Sequence, residues 1–327
     1  MLVKLSPLIA FAAALLWLYM LDAASFELMW KGRTFQLFFI WLVALELILS
    51  HENIQPTKIS KITSGRTLAF LTALALPIFY VAASFYGGLN DAITRWATQS
   101  RIQWASSMAL STEYLIFTCL FCLMVYLSLG LKGLKFYALP TFFLGLVGLL
   151  YTVDNVFPYG QFTPFQILVP TTATLSASIL NWIGYPTTVN YGQNNLANMP
   201  LLTAINPHIA GAPPTTFAIA WPCAGIESLL IFTVVALLFL KRMNIPTKTK
   251  IGFFVFGAAV TYLINALRIV NIFLLGMTYG VNSLEVDLFH FYYGPLYAVI
   301  WIVTYPLIII LIQKRCSKRE QPKSAAC

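Results

Sequence analysis

A thiol, a guanidinium and an imidazole stand in three successive apolar runs toward the end of the chain. They are Cys223 in Trp221-Pro222-Cys223-Ala224-Gly225, Arg268 in Asn265-Ala266-Leu267-Arg268-Ile269-Val270-Asn271, and His290 in Asp287-Leu288-Phe289-His290-Phe291-Tyr292-Tyr293-Gly294. Pro222 suits the first turn of a helix, which sets Cys223 at the mouth of the run that follows. There the positive end of the helix dipole and unpaired amides favour the thiolate, the nucleophilic form of cysteine. Arg268 interrupts an otherwise uncharged run from Ile251 to Gly276. Charge in hydrocarbon costs at least about 2.5–3.5 kcal/mol at mid-depth, so such an arginine faces protein or a wet cavity and takes a partner. Histidine titrates near neutral pH and both takes and returns protons. Thiol-based acyl transfer needs this set: an attacking thiolate, a proton donor for the leaving amine, and positive charge for the thiolate or the developing oxyanion.

Each residue also has an ordinary reading. A cysteine opening an apolar helix packs as a small hydrophobe, an arginine near the end of a span reaches for headgroups, and a histidine among aromatics sits at an interface. The ordered conjunction is what points to chemistry. Asn265 lies one helical turn before Arg268, and Gly225 closes the cysteine motif. Glu227 falls four residues beyond Cys223, on the same face of a continuous helix; pairing with Arg268 and a structural buried carboxylate are both open. His208, in a loop near Asn206-Pro207, is a distant substitute for His290. Five cysteines at 119, 122, 223, 316 and 327 are an odd number without framework spacing, which argues against a disulfide scaffold. Cys119-x-x-Cys122 lacks two further ligands for zinc and reads as packing. No metal site or cofactor is expected.

The elements that must position these residues are set by lipid. The 327 residues are 59% hydrophobic and 9% charged, against roughly 25% charged in soluble domains. Apolar runs cover about 6–22, 35–50, 67–87, 107–130, 136–154, 223–240, 251–275 and 290–313, near the roughly 20 residues that span a bilayer. The alternation of a barrel strand is absent, so the expectation is an all-α, polytopic transmembrane bundle of about eight spans with a partly ordered external loop region. Four parts follow: a five-helix membrane part at 1–154, a loop region at 155–222, a catalytic three-helix part at 223–313, and a basic tail at 314–327. In the loop region, Pro164 to Ile183 is studded with Thr and Ser and reads as interfacial or re-entrant. Tyr185 to Trp221 carries Asn, Gly and Pro punctuation that suits turns and a hairpin, and the whole could cap a substrate.

A net charge of +9 is spread over short clusters between apolar runs rather than one polar face, so it marks topology and not nucleic-acid binding. Lys58, Lys61 and Arg66, then Lys132 and Lys135, then Lys241, Arg242, Lys248 and Lys250, then Lys314, Arg315, Lys318, Arg319 and Lys323 all fall on one side when eight crossings are counted. That side is cytoplasmic, with both termini. Arg95 and Arg101 are exceptions, partly offset by Asp91. Arg268 stands 17 steps from Ile251, roughly 25 Å up its helix, which brings it to the outer face with Cys223 and His290. The first run, between Lys4 and Asp22-Ala23-Ala24-Ser25, also has the outline of a cleaved signal peptide.

Pro222-Cys223-Ala224-Gly225, Asn265-x-x-Arg268 and His290 resemble the exosortase/archaeosortase family in order and spacing over about 150–313, with the eight-span outline of the rest. The family's cysteine motif usually reads Cys-Ser-Gly, whereas Ala224 stands here in place of the serine. Some archaeal members carry arginine where this chain has His290. The resemblance implies a membrane cysteine transpeptidase on the cytoplasmic membrane. Its partners would be exported proteins bearing a C-terminal sorting signal, made of a short motif, a hydrophobic span and a basic end, and a lipid or other surface acceptor. It also implies that Cys223 forms a thioester, that His290 protonates the departing amine and then activates the acceptor, and that Arg268 stabilises thiolate or oxyanion. Asn265 would orient substrate or Arg268, with Gly225 and Glu227 supporting. From other classes, a transporter or channel built on an Arg268/Glu227 charge pair lacks clear inverted repeats, and a non-catalytic assembly factor would leave Cys223 inert.

Overall fold

Backbone amides in hydrocarbon must bond within their own segment, and each apolar run folds as a helix. The computed structural model describes residues 2–28, 30–50, 65–157, 161–191, 199–211 and 213–320. The chain divides into two compact units, Met1–Pro158 and Tyr159–Cys327. The basic loop with Lys58 and Lys61 and the end with Lys323 and Cys327 lie outside the described residues. So do the side chains of Arg66, Lys314, Arg315, Cys316, Lys318 and Arg319.

The first unit contains α1 Leu2–Leu21, α2 Thr34–Ser50, α3 Gly65–Phe85, α4 Leu89–Gln99, α5 Met108–Phe136 and α6 Ala138–Val156. Its core is aromatic: Phe11 of α1, Phe39 of α2 and Phe117 and Phe121 of α5 meet edge to face at 4.9–5.7 Å, the arrangement that ring quadrupoles favour. Beside it lie buried ion pairs. Arg33 forks onto Glu113 through Nε at 2.7 Å and Nη2 at 2.9 Å, and its Nη1 donates to Asp22 at 2.7 Å. Gln36 donates to the same carboxylate at 2.7 Å. Lys31 meets Asp154 at 2.8 Å and lies 4.1 Å from the centre of the Trp104 ring. The amphipathic α4 coincides with none of the apolar runs.

The second unit opens with a 3-10 segment, Thr163–Leu168, and α7 Val169–Trp182. Strands β1 Thr187–Asn190, β2 Leu201–Ala204 and β3 Thr215–Ala218 form an antiparallel sheet in that order, with Thr187 opposite Ala204 and Leu201 opposite Ala218. After a 3-10 turn, Trp221–Ala224, come α8 Ile226–Arg242, α9 Thr247–Tyr279, α10 Leu284–Leu288, a π-helical segment Phe289–Tyr293, and α11 Gly294–Glu320. The Thr- and Ser-rich stretch is α7, whose 14 residues are too short to cross a bilayer. Its buried stripe of Thr172, Ala173, Ser176, Ala177 and Leu180 packs on α9, small residues allowing close approach.

The chain is a mostly helical membrane protein, as expected, and the turns and hairpin expected over Tyr185 to Trp221 take the form of this small three-stranded sheet. β3 is anchored by Phe217, edge-on to Phe273 of α9 at 5.0 Å. Among the described residues six segments are long and apolar enough to cross a membrane, namely Lys4–Leu21, Thr67–Phe85, Ala105–Phe136, Ala138–Val156, Thr247–Tyr279 and Leu284–Gln313, where about eight spans are expected from the sequence. The other two runs form α2 and α8, of 17 residues each, at the short limit of about 17–25 residues for a span.

Candidate active site

The cysteine turn is built before the helix it precedes. Ala220 is extended, Trp221–Ala224 forms a 3-10 turn in which Cys223 N donates to Ala220 O at 3.0 Å, and Gly225 turns the chain at φ 88°. Only then does α8 begin, with Leu229 N bonding Gly225 O. Cys223 therefore lies outside the first turn of α8, in a turn of its own, and the left-handed bend at Gly225 takes Glu227 off any shared helix face with Cys223. Glycine suits this bend because left-handed backbone strains residues with a Cβ. A Cβ there would also meet Asn265 Cγ and Nδ2 at 2.9 Å.

That close approach serves a hydrogen bond. Asn265, 2% exposed on α9, donates from Nδ2 to Cys223 O at 2.8 Å. From the other side, Thr172 Oγ1 of α7, which donates to Leu168 O at 2.8 Å, stands 3.3 Å from Ala224 O and shares a 2.7 Å hydroxyl contact with Tyr262 of α9. The backbone of the cysteine turn is thus bonded by α9 and packed against α7 at two consecutive carbonyls. Thr172 and Tyr262 were not singled out from the sequence. The Thr and Ser content of that stretch was the only signal, and it names no position.

His290 is presented by the π-helical segment. Gly294 N–H reaches five residues back to Phe289 O, and Pro295 has no N–H to bond the carbonyl of Phe291 in α register or that of His290 in π register. The His290 carbonyl is left without a helical partner, and Arg268 fills it: Nη2 donates to His290 O at 2.7 Å. Gly294 makes room, since a Cβ there would stand 2.8 Å from both Arg268 Nε and Phe289 O. On the opposite side of the histidine, Nε2 lies 3.9 Å from Cys223 Sγ. Arg268 thus bonds the backbone of the residue whose ring faces the thiol, and Arg268 and Glu227 both lie within electrostatic reach of that thiol.

The structure brings Cys223, Asn265, Arg268 and His290 together with Gly225, all within the second unit. Cys223, Arg268 and His290 are half-buried. Arg268 and Glu227 form no ion pair among the described residues, and Glu227 Oε1 and Arg268 Nε are each buried without a hydrogen-bond partner. His208 is exposed and packs edge-on to Tyr185 at 5.8 Å. Cys119 is exposed and Cys122 half-buried on α5. Among the described residues no group of three or more His, Cys, Asp or Glu could hold a metal ion. What the arrangement can do is deprotonate a thiol with an adjacent imidazole, beside a fixed guanidinium.

Compared with known families, residues 29–308 match the family model described as transmembrane exosortase (EpsH). No curated protein and no solved structure matches the chain.

Proposed function

The chain belongs to the transmembrane exosortase family, and from that premise we propose that it is a membrane-embedded cysteine transpeptidase that cleaves the C-terminal sorting signal of exported proteins and passes the new carboxyl end to a lipid or other surface acceptor. The observation that carries this reading is the 3.9 Å contact of Cys223 Sγ with His290 Nε2, made by a histidine whose carbonyl is bonded by Arg268. Nucleophile, base and cation come from three separate elements, and no single stretch of helix would assemble them by accident of period.

Cys223 gives its proton to His290, and the thiolate attacks the scissile carbonyl to form a C–S bond and an oxyanion. Arg268 supplies the positive charge that favours both anionic states. Collapse breaks the C–N bond, His290 returns the proton to the departing amine, and a thioester remains on Cys223. A nucleophile on the acceptor, deprotonated by His290, then attacks the thioester and releases the thiol. Asn265 and Gly225 fix the cysteine turn against the pull of attack, and Glu227 supports from the start of α8. The site faces the outside of the cytoplasmic membrane, with both termini inside, as the clusters at Lys132 and Lys135 and at Lys241, Arg242, Lys248 and Lys250 support. A transporter built on Arg268 and Glu227 would need those charges paired, and they form no ion pair among the described residues.

The test is complementation in a host lacking the protein, following the size of a tagged substrate that carries a sorting signal. Cys223→Ala and Cys223→Ser should both leave it unprocessed. Retained processing in either would remove Cys223 as nucleophile.

A further inference from the structure

Far down the same unit, α9 and α11 part to leave a cavity of about 610 Å³, within the roughly 300–1,000 Å³ of small-molecule sites. Its walls include Gly252, Phe253 and Phe256 of α9 and Trp301, Tyr305 and Ile312 of α11. The polar tips of the two large aromatics are turned inward: Tyr305 OH donates to Phe253 O at 2.6 Å and Trp301 Nε1 to Thr261 Oγ1 at 3.2 Å. Hydrocarbon is therefore nearly all that the cavity offers, and hydrocarbon is what would fill it. Gly252 keeps it wide, for a Cβ there would meet nothing within 4 Å.

Its mouth is different. Thr249 lines the cavity at the start of α9, with Lys248 exposed and Lys250 half-buried on either side of it. Neither lysine has an ion-pair partner among the described residues. From Trp301 to Ile312 is 11 helical steps, about 16 Å, close to the roughly 15 Å of one leaflet's hydrocarbon. We propose that this groove is a binding site for an anionic phospholipid, with one acyl chain between α9 and α11 and the phosphate held by Lys248 and Lys250. Basic residues at the mouth of an apolar crevice between membrane helices recognise such headgroups. Gly252 stands 16 steps from Arg268, about 24 Å along α9, so this lipid is separate from any acceptor at Cys223, and the inference does not depend on the catalytic reading.

The experiment is native mass spectrometry of the full chain, delipidated in detergent and titrated with dioleoylphosphatidylglycerol or dioleoylphosphatidylcholine. The wild type should retain one phosphatidylglycerol in preference to phosphatidylcholine. Lys248→Gln and Lys250→Gln should each weaken phosphatidylglycerol about fivefold, the effect of one basic residue at an anionic surface, and leave phosphatidylcholine unchanged. Gly252→Leu fills the cavity without a backbone clash and should weaken both. Equal retention of the two lipids by the wild type, or none, overturns the proposal, and that comparison needs no variant to fold. So does full retention in Gly252→Leu, or a dimer peak that Gly252→Leu abolishes, which would make a second copy the occupant.

Discussion

Asn265 is the residue on which the geometry of the cysteine turn depends most directly. Its amide bonds Cys223 O at 2.8 Å, and Gly225 leaves it the space to do so. Asn265→Ala should fold, since the lost bond is worth about 1 kcal/mol, but should process substrate at least tenfold more slowly. Asn265→Asp puts an acceptor against the carbonyl and should be worse. Alkylation of Cys223 measured beside processing separates the two roles: a positioning residue alters thiol reactivity, whereas a purely structural one moves only thermal stability. Gly225→Ala combines left-handed backbone strain, roughly 1–2 kcal/mol, with a Cβ 2.9 Å from Asn265, and should lose processing before it loses helicity. Arg268→Lys keeps the charge but loses the planar fork that reaches His290 O from beside Gly294. Normal turnover in that variant would reduce Arg268 to a packing residue.

The π-helical segment carries the positional information for His290, and Pro295 is its physical cause. Without a proton at residue 295, neither an α nor a π register can satisfy every carbonyl from Phe289 to Phe291, and the one left over, at His290, is the one that Arg268 bonds. Pro295→Ala restores the missing donor and removes a helix-interior proline that costs about 3 kcal/mol in an ordinary helix. The melting temperature should hold or rise while processing falls at least tenfold, a split read from thermal unfolding alongside substrate size. Processing at the wild-type rate would mean that the aromatic packing around Phe289–Tyr293, and not the proline, sets the register.

At the scale of the whole chain, each unit holds an arginine against buried or half-buried polar groups. The second leaves polar atoms of Arg268 and Glu227 without partners around its candidate site. The first closes its charges into a network, with Arg33 forked onto Glu113 and joined to Asp22. Removing one partner of a buried ion pair strands the other, so Arg33→Ala or Glu113→Ala should each destabilise by about 3–5 kcal/mol. The double replacement Arg33→Met with Glu113→Leu should cost less than either single change, as followed by thermal unfolding in detergent. If the double variant is the least stable of the three, the network stabilises by more than mutual neutralisation.

The apolar runs and the basic clusters between them sufficed to define a multi-pass helical protein, because span length and charge placement are local properties that lipid reads residue by residue. Cys223, Arg268 and His290 were likewise visible by type and order. Contact between them was not: the bend at Gly225, the π turn before Pro295 and the buttress from Thr172 and Tyr262 depend on which helices pack together, and no period in the sequence encodes that. The hairpin over Tyr185 to Trp221 was legible from its turn residues, whereas α4 escaped, being too polar to register against the hydropathy of its neighbours. Chain-local chemistry determined what could react, and only the packing of α7, α9 and α11 around one 3-10 turn decided that a thiol and an imidazole stand 3.9 Å apart.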